Sequence, residues 1–143
     1  MTMTPSPATP PAAAAGARLE TRPVVLVAED EESVRTMIAL ALRACGFDAV
    51  LCADGLAAAE VIEGGAHVDA VLVDLRMPRL GGLELVERLR GRPESQRLPV
   101  VAMSAYSDEA QAREARAAGA DAFLAKPFRI AELAATLRGV LER

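Results

Sequence analysis

The sequence lacks several features that would assign a function directly. Its formal net charge is −4, so no excess of positive charge draws it to nucleic acid or to an anionic membrane surface. No apolar run approaches the roughly 20 residues that span a bilayer, and the N-terminus lacks the basic and then apolar segments of a secretory signal. We therefore expect a soluble, cytoplasmic protein without direct contacts to nucleic acid or membrane.

Cysteine and histidine are also scarce. The two cysteines, Cys45 and Cys52, lack the spacing of a metal site and lie in apolar surroundings. This pattern favours reduced thiols that pack inside the protein. The single histidine, His67, precedes a predicted strand and is assigned no role.

The chain is long enough for one domain with a single core. It has 143 residues, of which 52% are hydrophobic and 25% are charged, as is typical of globular proteins. Residues 1–22 are rich in proline and alanine, and this composition predicts a disordered tail. We expect the folded domain to occupy residues 23–143.

Beyond Pro23, short β-branched segments alternate with segments of helical period. This alternation predicts an α/β fold with a parallel sheet covered by helices on both faces. The predicted strands are 24–28, 48–51, 68–73, 100–103 and 122–124. Ser33 is the predicted cap of a first helix that ends at Gly46, and further helices are predicted over 55–62, 83–89, 108–118 and 130–141.

Polar residues follow the predicted strands where an open parallel sheet collects its functional groups. Residues 29–32 read EDEE after the first strand, Asp74 and Ser104 end the third and fourth strands, and Lys126 follows the fifth. A phosphate-binding loop after the first strand would need glycines. Four carboxylates there favour a divalent cation instead, and Mg²⁺ suits such oxygen ligands. Beside it, Asp74 is a candidate nucleophile toward phosphorus.

Four segments together resemble the receiver domains of two-component response regulators. These segments are VLVAEDEESVR, VLVDLRMPRLGG, VVAMSAYSD and GADAFLAKPF, and the resemblance covers residues 23–142. It implies a flavodoxin-like, doubly wound (βα)5 fold whose five parallel strands lie in the order 2-1-3-4-5.

The resemblance also implies a role for several residues. Asp74 would accept the phosphoryl group, and Glu29 and Asp30 would hold Mg²⁺ together with Asp74. The backbone carbonyl of Arg76 would be a further ligand. Lys126 would contact the phosphoryl group as a point charge, and its bond to the following proline would be cis.

Ser104 and Phe123 take the positions of the family's switch residues. Ser104 stands where Thr is common and Phe123 where Tyr is common, so the phenolic hydroxyl is missing. Glu29 replaces the usual Asp, which leaves the metal affinity and the rate of dephosphorylation open. Arg76 and Tyr106 are expected to flank the entry to Asp74 and to shield it from water.

The function that the resemblance implies is that of a single-domain response regulator. A histidine kinase or histidine phosphotransfer protein would phosphorylate it, and it would signal by contact with an unknown downstream protein. It would not be an enzyme in the usual sense, and it could dimerise through the fourth helix, fifth strand and fifth helix. One alternative is a scaffold that works without phosphorylation. Another is an aspartate-nucleophile phosphohydrolase, which needs a second aspartate where Arg76 stands.

Overall fold

The computed structural model describes residues 22–105 and 109–142, and within these ranges strands and helices alternate. The strands are β1 (Val24–Ala28), β2 (Asp48–Cys52), β3 (Ala70–Asp74), β4 (Val100–Ser104) and β5 (Ala122–Ala125). The helices are α1 (Glu32–Ala44), α2 (Gly55–Glu63), α3 (Gly82–Arg90), α4 (Glu109–Ala118) and α5 (Ile130–Leu141). Each predicted element is present, with its ends shifted by a few residues at most.

The strands form one parallel sheet in the order β2-β1-β3-β4-β5. This order confirms the predicted flavodoxin-like, doubly wound fold. The central strands β3 and β4 are buried along their whole length, and β1 is buried except at its first residue. The edge strands β2 and β5 are partly exposed. Their position at the edges explains why their sequences carry a weaker apolar signal.

Successive side chains of each strand point to opposite faces of the sheet, so the domain has two cores. Leu26, Val71 and Val73 face one core, which includes Leu85 and Val86 of α3. Val25, Val27, Leu72 and Val101 face the other, which includes Leu42 of α1 and Leu137 of α5. The two layers of helices fix the sheet from both sides and leave the carboxyl ends of the strands open for polar groups.

Two predicted boundaries differ from the structure in ways that affect the site. The predicted cap Ser33 is wrong, because α1 begins at Glu32 and Glu31 occupies the N-cap position without a side-chain cap. The backbone N–H of Glu31 instead donates to the carboxylate of Glu29 (3.2 Å), so the acidic loop itself shapes the start of the helix. The third strand begins at Ala70, later than predicted, and it includes Asp74 as its last residue.

Some predictions fall outside the described residues. They are the tail as far as residue 21, the shielding by Tyr106 and the start of the fourth helix at Asp108. Arg22 is described, and its guanidinium donates to the backbone carbonyl of Arg43 (2.7 Å). Among the helices that the structure describes, none combines the length and apolar character needed to cross a membrane.

Candidate functional site

Strand pairing brings the polar residues at the strand ends together. Ala28 lies opposite Val73 in the β1–β3 pair, so Glu29 and Asp74 are the next residues along neighbouring strands. On the other side of Asp74, β4 ends with Ser104. The backbone N–H of Lys126 then donates to the carbonyl of Ser104 (2.8 Å), which carries Lys126 to the same edge of the sheet.

Three carboxylates form an acidic cluster at this edge. One carboxylate oxygen from each of Glu29, Asp30 and Asp74 lies within 4.8 Å of those of the other two. Glu29 and Asp74 are only 1% and 6% exposed, whereas Asp30 is exposed. Like charges this close repel one another in a partly buried setting. Carboxylate oxygens are the protein ligands that Mg²⁺ prefers, so the donor set fits this ion.

Lys126 supplies the positive charge that faces the cluster. Its ammonium Nζ lies 2.6 Å from Oε1 of Glu29 and 3.4 Å from Oδ2 of Asp74. The Lys126–Pro127 peptide bond is cis, as the resemblance implies. The side chain is largely buried, with 18% exposed, so the ammonium is held between the two carboxylates at the base of the site.

The burial of the site changes the acidity of its groups. Burial raises the pKa of the Glu29 carboxyl above its ordinary value, and the hydrogen bond from Lys126 offsets this effect only in part. Burial also raises the pKa of Asp74, against the opposing charge of Lys126. Burial alone would lower the pKa of Lys126, but the hydrogen bond to Glu29 and the charge of Asp74 outweigh it, and the pKa is raised. The two carboxylates are therefore ionised at a cost in free energy that a bound cation would reduce.

Backbone contacts hold the acidic groups in place. The backbone N–H of Arg76 lies 3.4 Å from Oδ1 of Asp74, to which it donates. The side chain of Arg35 donates from Nη1 to the backbone carbonyl of Glu29 (2.8 Å). Sequence reasoning did not assign this role to Arg35. Its position one helical turn into α1, directly after the acidic loop, is the signal that could have identified it.

A cleft of about 340 Å³ opens above these groups. It is lined by Glu29, Asp30, Glu31, Asp74, Arg76, Ala105 and Lys126. Ser104 is completely buried at the end of β4, next to the cleft residue Ala105. Phe123 is half-buried and packs on the core beside α4, opposite Ala102 in the β4–β5 pair. The structure thus gathers the predicted acidic residues, Lys126 and Arg76 around one cleft, while the switch candidates Ser104 and Phe123 lie on β4 and β5 outside its lining.

A second missed contact joins the loops that follow β2 and β3. Nη2 of Arg79, in the loop after β3, lies 3.0 Å from Oδ2 of Asp54, in the loop after β2. The two residues come from separate loops, and nothing in the sequence pairs them.

The family model of the response regulator receiver domain matches residues 25–138. The chain belongs to this family. The match covers the acidic cluster, Lys126 and nearly all of both cores, so the family is shown for nearly all of the described structure.

Two curated relatives illustrate how the receiver is used elsewhere. The chain is 36% identical over 123 residues to the phosphate regulon transcriptional regulatory protein PhoB of Rhizobium meliloti (strain 1021), covering 85% of this chain and 53% of the relative. It is 39% identical over 120 residues to the sensory transduction protein RegX3 of Mycobacterium bovis, covering 83% of this chain and 51% of the relative. The chain therefore spans about half the length of the curated relatives it matches.

Solved receiver structures share the fold. A response regulator described as putative, from Chloroflexus aurantiacus, superposes with a TM-score of 0.82 at 30% identity, covering 85% of this chain and 99% of that one. The receiver domain of a sensor histidine kinase from Pseudomonas aeruginosa superposes with a TM-score of 0.79 at 31% identity, with coverages of 85% and 99%. That structure carries a magnesium ion coordinated in its active-site cleft.

Proposed function

We propose that this receiver accepts a phosphoryl group on Asp74 in a Mg²⁺-dependent reaction. The donor would be a histidine kinase or a histidine phosphotransfer protein, the partners with which receiver domains interact. The observation that carries the proposal is the position of Asp74 at a strand end, with its carboxylate in the acidic cluster and Lys126 3.4 Å away. The receiver is a signalling domain in this account and not an enzyme with turnover.

The side chains of the cleft divide the chemistry between them. An oxygen of the Asp74 carboxylate attacks the phosphorus of the phosphohistidine, and a P–O bond forms while the P–N bond to the imidazole breaks. Lys126 binds an oxygen of the incoming phosphoryl group through its ammonium. The hydroxyl of Ser104 donates a hydrogen bond to a second phosphoryl oxygen. In-line attack needs the carboxylate ionised and oriented, which the backbone N–H of Arg76 favours.

The metal would be held by residues of the acidic cluster. Glu29, Asp30 and Asp74 are the proposed side-chain ligands, and the backbone carbonyl of Arg76 is a further one. Bound Mg²⁺ supplies positive charge against the phosphoryl oxygens and the three carboxylates. The carboxylate of Glu29 also accepts a hydrogen bond from the ammonium of Lys126 (2.6 Å), so Glu29 would serve both as a metal ligand and as the partner of Lys126.

The phosphorylated state would signal through protein contacts. A phosphoryl group adds negative charge at Asp74 and attracts Lys126, which biases the positions of Ser104 and the surrounding loops. Phe123 is the proposed partner in this switch. The downstream protein, a dimer through α4, β5 and α5 and the cytoplasmic location stay predictions, as does the output of any longer protein that contains this receiver.

Intact-protein mass spectrometry tests the proposal. The protein is incubated with a small acyl phosphate donor and Mg²⁺, and the wild type is compared with Asp74→Asn and with a sample that contains chelator. We expect the mass of one phosphoryl group on the wild type and none in either control. If the wild type gains no mass under any condition, the proposal fails, and a phosphorylation-independent scaffold becomes the better account. Sustained release of phosphate from small esters would instead favour the phosphohydrolase.

A further inference from the structure

The loop of residues 75–81, between β3 and α3, carries Arg76 and borders the acidic cleft. An ion pair joins this loop to the loop after β2, with Nη2 of Arg79 at 3.0 Å from Oδ2 of Asp54. The Asp54 side chain is only 13% exposed. Its other oxygen, Oδ1, accepts a hydrogen bond from the backbone N–H of Ala57 (2.8 Å) and caps α2. Asp54 is therefore fixed by α2, and Arg79 is attached to a rigid point.

The contribution of this ion pair to stability does not explain the presence of Arg79. Its backbone has a φ of 70°, in the left-handed region that any residue with a Cβ adopts at a cost in free energy. The arginine side chain is 64% exposed, and ion pairs with such exposure add little to stability. Glycine would fit this backbone without strain. Since Arg79 adds little stability, we consider instead its effect on the loop of residues 75–81, which it orients through the ion pair with Asp54.

Close backbone packing surrounds the ion pair on both sides. A Cβ added to Gly55, the residue after Asp54, would lie 2.1 Å from the backbone oxygen of Leu80, the residue after Arg79. A Cβ added to Gly82 would lie 2.5 Å from the backbone oxygen of Asp74. The loop thus packs tightly against α2 near Leu80 and against the end of β3, so a displacement at Arg79 has little room to be absorbed locally.

The segment between these contacts is the one that faces the cleft. Arg76 lines the cleft, and its backbone N–H donates to Oδ1 of Asp74. Its carbonyl is the proposed metal ligand. Arg76 lies only three residues before Arg79, in a short and tightly packed stretch of chain. A displacement of the loop at Arg79 would therefore also move the backbone of Arg76.

We propose that the Arg79–Asp54 ion pair is a positioning latch that preorganises the backbone of Arg76 and the carboxylate of Asp74 for a divalent cation. This inference rests on the proposed function of the same cleft. Both residues act through the loop and neither touches the cation. A contact that orients a metal ligand raises metal affinity without itself entering the coordination.

Two single variants with opposite changes of charge test the latch. Arg79→Gly removes a positive charge and suits the positive φ, while Asp54→Asn removes a negative charge and keeps an oxygen to cap α2. Electrostatics alone predicts tighter Mg²⁺ binding in the first variant and weaker binding in the second. The latch predicts weaker binding in both, by up to about fivefold, the most that one ion pair of this exposure can supply. Calorimetric titration of the metal-free full chain with Mg²⁺ measures the affinities.

Hydrogen exchange in the metal-free protein provides a readout that does not depend on the ion. We expect the amides of residues 75–81 to exchange faster in both variants, with no loss of overall stability in Arg79→Gly. Arg79→Lys should restore part of the affinity and of the protection, since it keeps the charge but not the planar fork. Arg92→Ala is the matched control, because Arg92 is an exposed arginine in ion pairs away from the cleft, and it should leave both readouts unchanged.

The outcomes separate the latch from the function of the site. Affinities that move in opposite directions in the two variants, or protection of residues 75–81 that stays at the wild-type level, would overturn the latch. Phosphorylation of Asp74 in Arg79→Gly at saturating Mg²⁺ would leave the proposed function intact in that case. If the wild type is never phosphorylated, the proposed function fails. The Mg²⁺ titration and the hydrogen-exchange measurement would still test whether the Arg79–Asp54 ion pair positions the loop.

Discussion

At the scale of single residues, the site is a balance of charge around Lys126. Its ammonium contacts both Glu29 and Asp74, while Asp30 adds a third carboxylate nearby. The raised pKa values of Glu29 and Asp74 show that the charge of Lys126 does not fully offset the burial of these two carboxylates. Burial and the repulsion between the carboxylates therefore lower the stability of the metal-free protein, and a bound divalent cation would reduce this repulsion.

Replacing Asp74 by Asn should therefore stabilise the metal-free protein near neutral pH. The substitution removes one buried carboxylate and leaves the Lys126–Glu29 pair in place. We expect the thermal unfolding midpoint to rise by about 2–5 °C, which corresponds to roughly 1 kcal/mol for a domain of this size. Thermal unfolding in the presence of chelator measures the change. A midpoint at or below that of the wild type would contradict the account of the charge balance.

The same cause gives the stability of the metal-free wild type a pH dependence. Burial raises the pKa of Asp74 in the folded state, so the native protein takes up this proton at a higher pH than the unfolded chain. The contribution of Asp74 to stability should therefore increase as the pH falls through the raised pKa toward the ordinary carboxyl value. Asp74→Asn should lack this contribution. Unfolding midpoints of the two proteins should converge as the pH is lowered from neutral toward the ordinary pKa of an aspartate, and a constant difference would contradict the assignment to Asp74.

At the scale of elements, the start of α3 packs closely against the end of β3 that carries Asp74. Gly82, the first residue of α3, lies under the end of β3, and a Cβ there would come within 2.5 Å of the Asp74 oxygen and 2.6 Å of the Leu75 Cα. The backbone N–H of Gly82 also donates to the carbonyl of Leu75 (3.2 Å). The helix can approach the strand this closely only because residue 82 has no side chain.

Gly82→Ala should lower the free energy of unfolding by about 2 kcal/mol, because backbone atoms would have to move to admit the methyl group. Gly139→Ala is the matched control. Gly139 lies in α5, is exposed and has nothing within 4 Å of an added Cβ. Alanine there should raise stability by about 0.5–1 kcal/mol. Urea unfolding measures the change in the free energy of unfolding for both variants. Equal changes at the two positions would refute the proposed close packing at Gly82.

Element boundaries also show where sequence reasoning is weakest. The periodic apolar pattern predicted α5 and β1 correctly, because both bury a regular set of side chains. Ser33 was assigned as a cap from its residue type alone, whereas α1 begins one residue earlier and the backbone N–H of its N-cap residue Glu31 donates to the carboxylate of Glu29, a local contact that the residue type of Ser33 does not indicate. Asp74 was predicted at the end of the third strand, and the strand pairing does include it as the last residue.

At the scale of the whole molecule, the fold was predictable and several site contacts were not. Strand order came from the family resemblance, and the position of functional groups at the strand ends followed from the sheet. The Glu29–Lys126 contact joins residues separated by 97 positions, and the Arg79–Asp54 pair joins two loops. Such contacts depend on how two loops meet in space, which no local pattern encodes.

Arg90 links several segments at the opposite end of the sheet. Its guanidinium donates to the backbone carbonyls of Ser95, Gln96, Leu98 and Gly119 and to the carboxylate of Asp121. Arg90→Met should destabilise the whole domain by about 2–3 kcal/mol, since several partly buried carbonyls and the carboxylate of Asp121 lose a charged donor together. Arg92→Met, at an exposed arginine with looser ion pairs, should change stability by less than about 0.5 kcal/mol. Urea unfolding compares the two, and similar small losses would contradict the role of Arg90.

The central claim is that Asp74, rather than Glu29 or Asp30, receives the phosphoryl group. Borohydride reduction of the freshly phosphorylated protein tests it most directly, because the reagent converts an aspartyl phosphate into the corresponding alcohol, homoserine. Peptide mass spectrometry then identifies the modified position. The account predicts homoserine at position 74 in samples that received both donor and Mg²⁺, and unmodified aspartate when Mg²⁺ is chelated. A reduced side chain at position 29 or 30, with position 74 unchanged, would contradict it.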